Sequence, residues 1–470
     1  MKHHKYIIHS SRFRTIAGFL TVIILLLIAS TGCKKLVEVP PPIDQVISSE
    51  VFSNDQTATS AVVGLYSQML SQPFTFIDGG MTFYPGLSAD EIVNNSPNAD
   101  YDPFKNNAIP PSNYDIQYSL WGDAYKFIYQ ANDCIAGLNA STGVSAATKQ
   151  QLTGEMEFSR ALCYFYLVNL FGPVPLETTT NYTVNEVMPR TSTDLVYKQI
   201  IADLEDAESL LSTSYPASGP TRPNKWTAEA LLARVYLYTK DWKDAEATAS
   251  AIINSGNYSL VKDLNGVFLA NSPEAIWQLV PTDPSSNTVE GEYFIPYDPT
   301  VIPSFQVTSY LLNAFESGDN RKTDWLASVT ISGTTYTYPY KYKVQSGSTK
   351  TEYEMVFRLA EQYLIRAEAE AELNNIPAAV ADINIIRERA GLPDLPTTLS
   401  QADCLKAIAQ ENRIEFFAEW GHRWFDLNRT GQADVVLGVE KPGWKPTDAL
   451  YPISSYEIQI NHNLTQNPGY

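Results

Sequence analysis

Apolar residues recur along this chain mainly at helical spacing. Ala58, Ala61, Val62, Leu65 and Leu70 follow one helix face, and the same period runs through residues 120–138 and 152–171. Strand-like alternation is confined to short pieces such as residues 336–342, where Tyr336, Tyr338, Tyr340 and Tyr342 alternate with Thr337, Pro339 and Lys341. The pattern predicts a mostly α-helical protein with long irregular loops and a few short strands.

Two segments repeat one arrangement. Residues 228–253 place Leu231, Leu232, Val235 and Tyr236 on one helix, turn at Lys240, Asp241 and Trp242, and continue with Ala245, Ala249 and Ile252 on a second. Residues 361–386 do the same with Tyr363, Leu364 and Ala367, a turn at Asn374 and Asn375, then Ala379, Ile383 and Ile386. Laying Glu229 on Glu361 brings Arg234 beside Arg366. Small alanines at the contacts let two helices approach closely, the logic of a tetratricopeptide-like pair. A third pair is expected from residues 155–170 with 194–211, and a fourth involves residues 121–138.

No long linker interrupts this pattern, so the 470-residue chain reads as one large unit. Its expected divisions are a leader at 1–32, a tether at 33–49 and an N-terminal region at 50–225. A C-terminal region follows at 226–470, with helix pairs at 227–256 and 357–390.

The N-terminus changes the picture. Lys2, Lys5, Arg12 and Arg14 precede an uncharged run of 14 residues from Ile16 to Ala29, and no acidic residue appears before Glu38. That is the build of a secretory signal, too short for the ~20 residues of a membrane-spanning helix. A retained anchor helix is the alternative, and it would still leave the body outside the inner membrane. The run closes on Ser30, Thr31, Gly32 and Cys33, small residues ahead of a cysteine suited to acylation. The segment resembles a bacterial lipobox, with Ser30 where that pattern usually carries leucine. Cys33 is therefore the expected lipidation site, carrying acyl chains such as palmitate. Pro40, Pro41 and Pro42 make the following tether extended and semi-rigid.

Removing residues 1–32 takes away four basic side chains and no acidic one, moving the formal charge from −19 to −23. Such a body repels phosphate, and no basic patch is visible, which argues against nucleic acid as a partner. Cys134, Cys163 and Cys404 show no metal or disulfide spacing and read as small buried apolar residues.

Two long stretches carry chemistry. Residues 72–118 mix Phe74, Phe76, Phe83, Tyr84, Tyr101, Phe104 and Tyr114 with Asp90, Glu91, Asn94, Asn95, Asp102, Asn106 and Asn107. Residues 281–342 add Tyr293, Phe294, Tyr297, Trp325, Tyr336, Tyr338, Tyr340 and Tyr342 to Asp298, Asp319, Asn320 and Arg321. Aromatic faces take the C–H faces of a ligand while Asn, Asp and Arg bond hydroxyls, a combination suited to carbohydrate. Candidate ligand contacts are Tyr84, Asp90, Asn94, Tyr101, Phe104, Tyr293, Tyr297, Asp319, Arg321 and Trp325, with loop packing as the alternative for each.

Catalysis finds little support. Asp90 and Glu91 are adjacent, which does not by itself give the opposed carboxylates ~5–9 Å apart that glycoside hydrolysis requires. No GxSxG, HExxH or phosphate-cradling loop is present. The chain is expected not to be an enzyme and to need no cofactor. Its Asp/Asn-rich loops offer oxygens of the kind Ca²⁺ takes, without the twelve-residue spacing that would make a structural Ca²⁺ site specific.

The densest motif runs from Glu411 to Arg429. Charges interleaved with Phe and Trp must be partly buried and paired, so Arg413, Glu415, Arg423, Trp424, Asp426 and Arg429 read as a structural network closing the last helix onto the body.

Residues 413–429, RIEFFAEWGHRWFDLNR, resemble the C-terminal signature of the SusD/RagB family, which usually has Glu-Gly where this chain has Trp420-Gly421. Further matches are residues 450–453 and 466–470 near the end, residues 51–54 and 61–66 near the start, and residues 87–91, 121–132 and 160–171. They appear in family order from Cys33 to Tyr470. The resemblance implies a single SusD-like unit of tetratricopeptide-like helix pairs, lipid-anchored and exposed on a Bacteroidota-type outer membrane. It further implies binding of oligosaccharide or polysaccharide, passed without catalysis to a SusC-like TonB-dependent transporter. The alternatives are a peptide or other nutrient as ligand, and a scaffold for the barrel that binds no ligand.

Overall fold

The computed structural model describes residues 48–470. The leader, Cys33 and the tether through residue 47 lie outside the described residues. Of a first unit, Met1–Val51, the described part is the short helix Ser48–Val51, and residues Phe52–Tyr470 form the second.

In that second unit, helix α1 (Asp55–Met69) and a short helix α2 (Gly80–Ser88) precede strand β1 (Ile92–Asn94). A π-helical stretch, Asp115–Gly122, then runs into α3 (Asp123–Ala140). There follow α4 (Ala146–Phe171), α5 (Thr193–Leu210), α6 (Lys225–Tyr238) and α7 (Trp242–Asn254). Strands β2 (Ala275–Leu279), β3 (Phe305–Val307), β4 (Leu326–Ile331), β5 (Thr334–Pro339) and β6 (Glu354–Arg358) come before α8 (Leu359–Glu372), α9 (Ile376–Arg389) and α10 (Gln401–Glu415). Helices α11 (His422–Arg429) and α12 (Ala433–Glu440) lie near the C-terminus. The fold is mostly helical, as the periodicity predicts. The strands form three antiparallel pairs, β1 with β3, β2 with β6 and β4 with β5.

From α3 to α9 each helix packs on the next, and α10 packs against both α8 and α9. The array runs through residues 225 and 226, where α5 packs on α6. Residues 255–358 leave it between α7 and α8 and supply most of the strands.

The two repeated segments do form matching helix hairpins, and their turns agree atom for atom. Asp241 N donates to Tyr236 O at 2.8 Å and Asn375 N donates to Glu370 O at 2.7 Å. Lys240 and Asn374, one residue earlier in each, are both left-handed, at φ 62° and 64°. This bond closes the end of a helix whose last carbonyls would otherwise lack donors. Caps set the starts: the Asn224 side chain accepts from Thr227 N at 3.0 Å while Thr227 returns to the Asn224 backbone, a reciprocal box.

Arginine forks tie neighbouring helices. Arg160 on α4 grips Asp203 on α5 at 2.8 and 2.6 Å, and Arg366 on α8 grips Asp382 on α9 at 2.7 Å twice. Each fork sits at an interface where alanines and leucines are fully buried; Arg160 and Asp203 are buried with them, while Arg366 stays partly open to solvent. Cys134, Cys163 and Cys404 are buried free thiols.

One expectation differs in detail. The long irregular stretch at 72–118 contains α2, whose nine residues are all buried. Gly80, Pro85 and Gly86 interrupt its apolar period, and burial on every side leaves no polar face to reveal it.

Candidate functional site

The C-terminal signature forms a buried charge network. Arg358, at the end of β6, donates to Glu415 at 2.5 Å, to Glu274 at 3.0 Å and to Glu419 at 2.9 Å. Arg321 donates to Glu415 at 3.1 Å and forks onto Asp319 at 3.0 and 2.8 Å, and Arg389 reaches both Glu274 and Glu415. Burial pushes the Glu415 carboxyl up, yet Arg389, Arg358 and Arg321 outweigh it and hold the group well below the usual carboxylate range. Lys341 donates to Glu419 at 2.5 Å, with its ammonium 4.1 Å from the Phe417 ring centre and 4.7 Å from that of Trp325.

A second branch joins the start of the chain to its end. Asp90, at the foot of β1, receives Arg423 Nε at 2.7 Å and is also bound by Arg413. Arg429 grips Glu368 at 2.6 and 2.7 Å and Asp426 at 2.7 Å, pinning α11 to α8. Trp424 is buried edge-on to Trp444. A cavity of about 540 Å³ borders this network, with Tyr238, Trp242, Leu405, Arg413, Arg423 and Arg429 in its lining. Its arginines are engaged by Asp90, Glu368 and Asp426.

These contacts correct six of the ten ligand candidates. Asp319, Arg321 and Trp325 belong to the buried network, and the Trp325 indole donates to Leu264 O at 2.9 Å. Asp90 neutralises two arginines. Tyr84 and Phe104 are fully buried with ring centres 4.6 Å apart, and Tyr84 donates to Phe74 O at 3.2 Å. Covered side chains of this kind cannot touch a ligand from solvent.

Asn94 is half-buried and shapes its own loop, accepting from Ser96 N at 2.9 Å and donating to Asn98 O at 2.9 Å.

Tyr101, Tyr293 and Tyr297 remain, and the fold brings the first two together. Phe74, left-handed at φ 62°, puts its ring 5.3 Å from Tyr101 and 4.6 Å from Tyr293. Phe83 and Phe305 complete the base of this cluster, so the two half-buried tyrosines form its rim. Burial is the main cause that pushes the Tyr101 hydroxyl up to about 12, with Asp115 adding to it. Pairing of β1 with β3 sets loop 94–96 against loop 303–304: Asn95 N donates to Ser304 O at 2.8 Å. Tyr297, in the same segment as Tyr293, is 76 % exposed.

One pair escapes the sequence candidates. Tyr114 and Tyr118 open the π-helical stretch, 64 % and 52 % exposed, with ring centres 4.6 Å apart. Asp115 between them is within electrostatic reach of both Tyr84 and Tyr101. The i, i+4 spacing of Tyr114 and Tyr118 was the available signal. The widened turn of a π-helix, a feature frequent at functional sites, carries them.

Among the described residues no group of three or more His, Cys, Asp or Glu is arranged to hold a metal ion, and no helix is long and apolar enough to cross a membrane.

Comparison with known proteins bears on both regions. Residues 43–237 match a family model described as starch-binding and associating with the outer membrane, and residues 300–470 match that of the SusD family. SusD-like protein P25 of Formosa agariphila is 26% identical, covering 96% of this chain and 98% of its own. A SusD superfamily protein from Bacteroides vulgatus has the same fold, with a TM-score of 0.77 at 22% identity over 88% of this chain and 99% of its own. A laminarin binding SusD-like protein superimposes with a TM-score of 0.73 at 25% identity, over 89% of this chain and 100% of its own. Both family models, relatives of matching length, the shared fold and the intact network around Arg413–Arg429 agree: this chain belongs to the SusD/RagB family.

Proposed function

We propose that this protein is a lipoprotein, anchored through Cys33 and exposed on the outer membrane, that captures oligosaccharide or polysaccharide and passes it to a SusC-like TonB-dependent transporter without breaking a bond. We read as one tyrosine face the exposed Tyr114, Tyr118 and Tyr297 together with the half-buried rim of Tyr101 and Tyr293, and the exposure of these rings is the observation that carries the reading. Exposed rings separated by loops suit the apolar faces of successive sugar units. Support also comes from a family model described as starch-binding and associating with the outer membrane, and from the laminarin binding relative of the same fold. The signal-like leader and the proline tether support a body held outside the cell and away from the lipid surface.

Affinity electrophoresis through gels containing a panel of polysaccharides tests the binding step. Retardation that is lost in the Tyr114→Ala/Tyr118→Ala variant supports it. Calorimetric binding of a tryptic peptide mixture with no polysaccharide retained would favour a peptide nutrient instead. Release of reducing ends from any polysaccharide would show catalysis and overturn the capture mechanism.

A further inference from the structure

We infer that the tyrosine face selects uncharged glycan chains and rejects carboxylated or sulfated ones. The inference rests on the glycan reading of that face and adds the class of chain it takes.

The charges around the aromatic rings are almost all of one sign. Residues 94–118 contain Asp100, Asp102 and Asp115 against Lys105, and residues 281–304 contain Asp283, Glu292 and Asp298 with no cation, while Glu290 there is buried and its carboxyl is pushed up by that burial. Asp100 and Asp115 act electrostatically on Tyr101, while Glu292 and Asp283 act on Tyr293. Lys350, from a neighbouring loop, is held by the backbone oxygens of Asp283 and Ser286. Neither segment contains an arginine, the side chain whose planar fork recognises carboxylate and sulfate-like groups.

The field is felt by groups already there. Asp78 is pushed up to about 8, first by burial and then by Glu290, Glu292 and Asp283. Asp115 is raised by burial, with Asp100 adding to it. An arriving uronate or sulfate ester meets the same repulsion and gains no salt bridge in return. A neutral sugar loses nothing, because its hydroxyls donate to the carboxylates. Over a distance of about 8 Å, the Debye length at physiological ionic strength, these charges act together.

The test uses the full-length protein in detergent, run in affinity gels against neutral polymers (laminarin, starch, xyloglucan, galactomannan) and acidic ones (alginate, pectin, carrageenan, chondroitin sulfate). A neutral polymer that binds is also C6-oxidised to its uronate form. The expected result is retention by a neutral polymer and at least roughly tenfold weaker binding of its oxidised form at low salt, with the gap closing toward 1 M salt, where the Debye length is ~3 Å. The Asp100→Asn/Asp115→Asn/Glu292→Gln variant, which replaces only surface or half-buried acids, should narrow that gap while melting as the parent does. Retention of an acidic polymer at low salt, or equal binding of the oxidised form, overturns the inference. If no polymer of either kind is retained, the glycan reading itself fails and the selection falls with it.

Discussion

Arg234 on α6 and Glu361 on α8 lie 127 residues apart and meet inside the helix array, Nε to Oε1 at 2.5 Å and Nη2 to Oε2 at 2.8 Å. The arginine also donates to the Tyr166 hydroxyl at 3.1 Å and lies 4.8 Å from the Phe357 ring centre. The fork therefore bridges the excursion of residues 255–358 and joins the two halves of the array. Arg234→Met leaves a buried carboxylate without its partner and should cost about 3–5 kcal/mol in urea unfolding. Arg234→Met/Glu361→Met should recover most of that loss, since no buried charge remains.

Gly421 has φ +69°, and an added Cβ would lie 2.7 Å from Pro85 Cβ and 2.9 Å from Met81 O. Ala418 and Trp420 just before it are also left-handed. This strained turn swings the chain from α10 into α11 against α2. Gly421→Ala should lower stability by about 1–3 kcal/mol, read as a drop in melting temperature.

Exposure separates the aromatic residues by consequence. Tyr114→Ala and Tyr118→Ala each remove an exposed ring, so the melting temperature should hold while glycan affinity falls roughly twofold to tenfold, the worth of an aromatic contact of about 0.5–1.5 kcal/mol. Trp325→Ala empties a fully buried site beneath Lys341 and should destabilise the fold by about 3–5 kcal/mol. Thermal scans run beside gel retardation distinguish the two outcomes.

Acid groups in the core give stability an unusual slope with pH. Burial is the main cause that raises both Asp78, from 3.8 to about 8, and Glu91, from 4.5 to about 8. Each binds its proton more tightly folded than unfolded, so its contribution is complete below about pH 4 and is lost as pH climbs through about 8. Lys441, lowered to about 7 mainly by burial, works the other way and adds stability only as pH rises from there toward 10.5. Between pH 5 and 7 the carboxyl effect therefore stands apart from the lysine. The Asp78→Asn/Glu91→Gln variant should show a smaller fall in melting temperature across that window than the parent, and an unchanged slope would refute the assignment.

Much of the fold was legible because helix periodicity is local. Ala245, Ala249 and Ile252 announce a buried face at their own spacing, and the turns at Lys240 and Asn374 follow from where two such faces end. The signature from Arg413 to Arg429 was legible as an ion-pair network for a related reason, since charges set among Phe and Trp have to be paired wherever they are buried.

The proposed ligand face was only partly legible. Trp325, Tyr84 and Phe104 stand in stretches with the same aromatic and polar composition as Tyr101, Tyr297 and Tyr114, yet all three are buried: Tyr84 and Phe104 pack on each other with Tyr451 against Phe104, and Trp325 lies under Lys341 and bonds Leu264. By itself the sequence determined the helical class and the order of the hairpins, each of which depends on neighbours within a few turns, and it showed that the C-terminal charges have to be paired; the partners themselves, Asp90, Arg358 and Glu368, were brought in by the tertiary structure. Only the tertiary structure decided which aromatic rings reach solvent, because exposure is set by segments hundreds of residues away, and no local period records what will come to lie over a side chain.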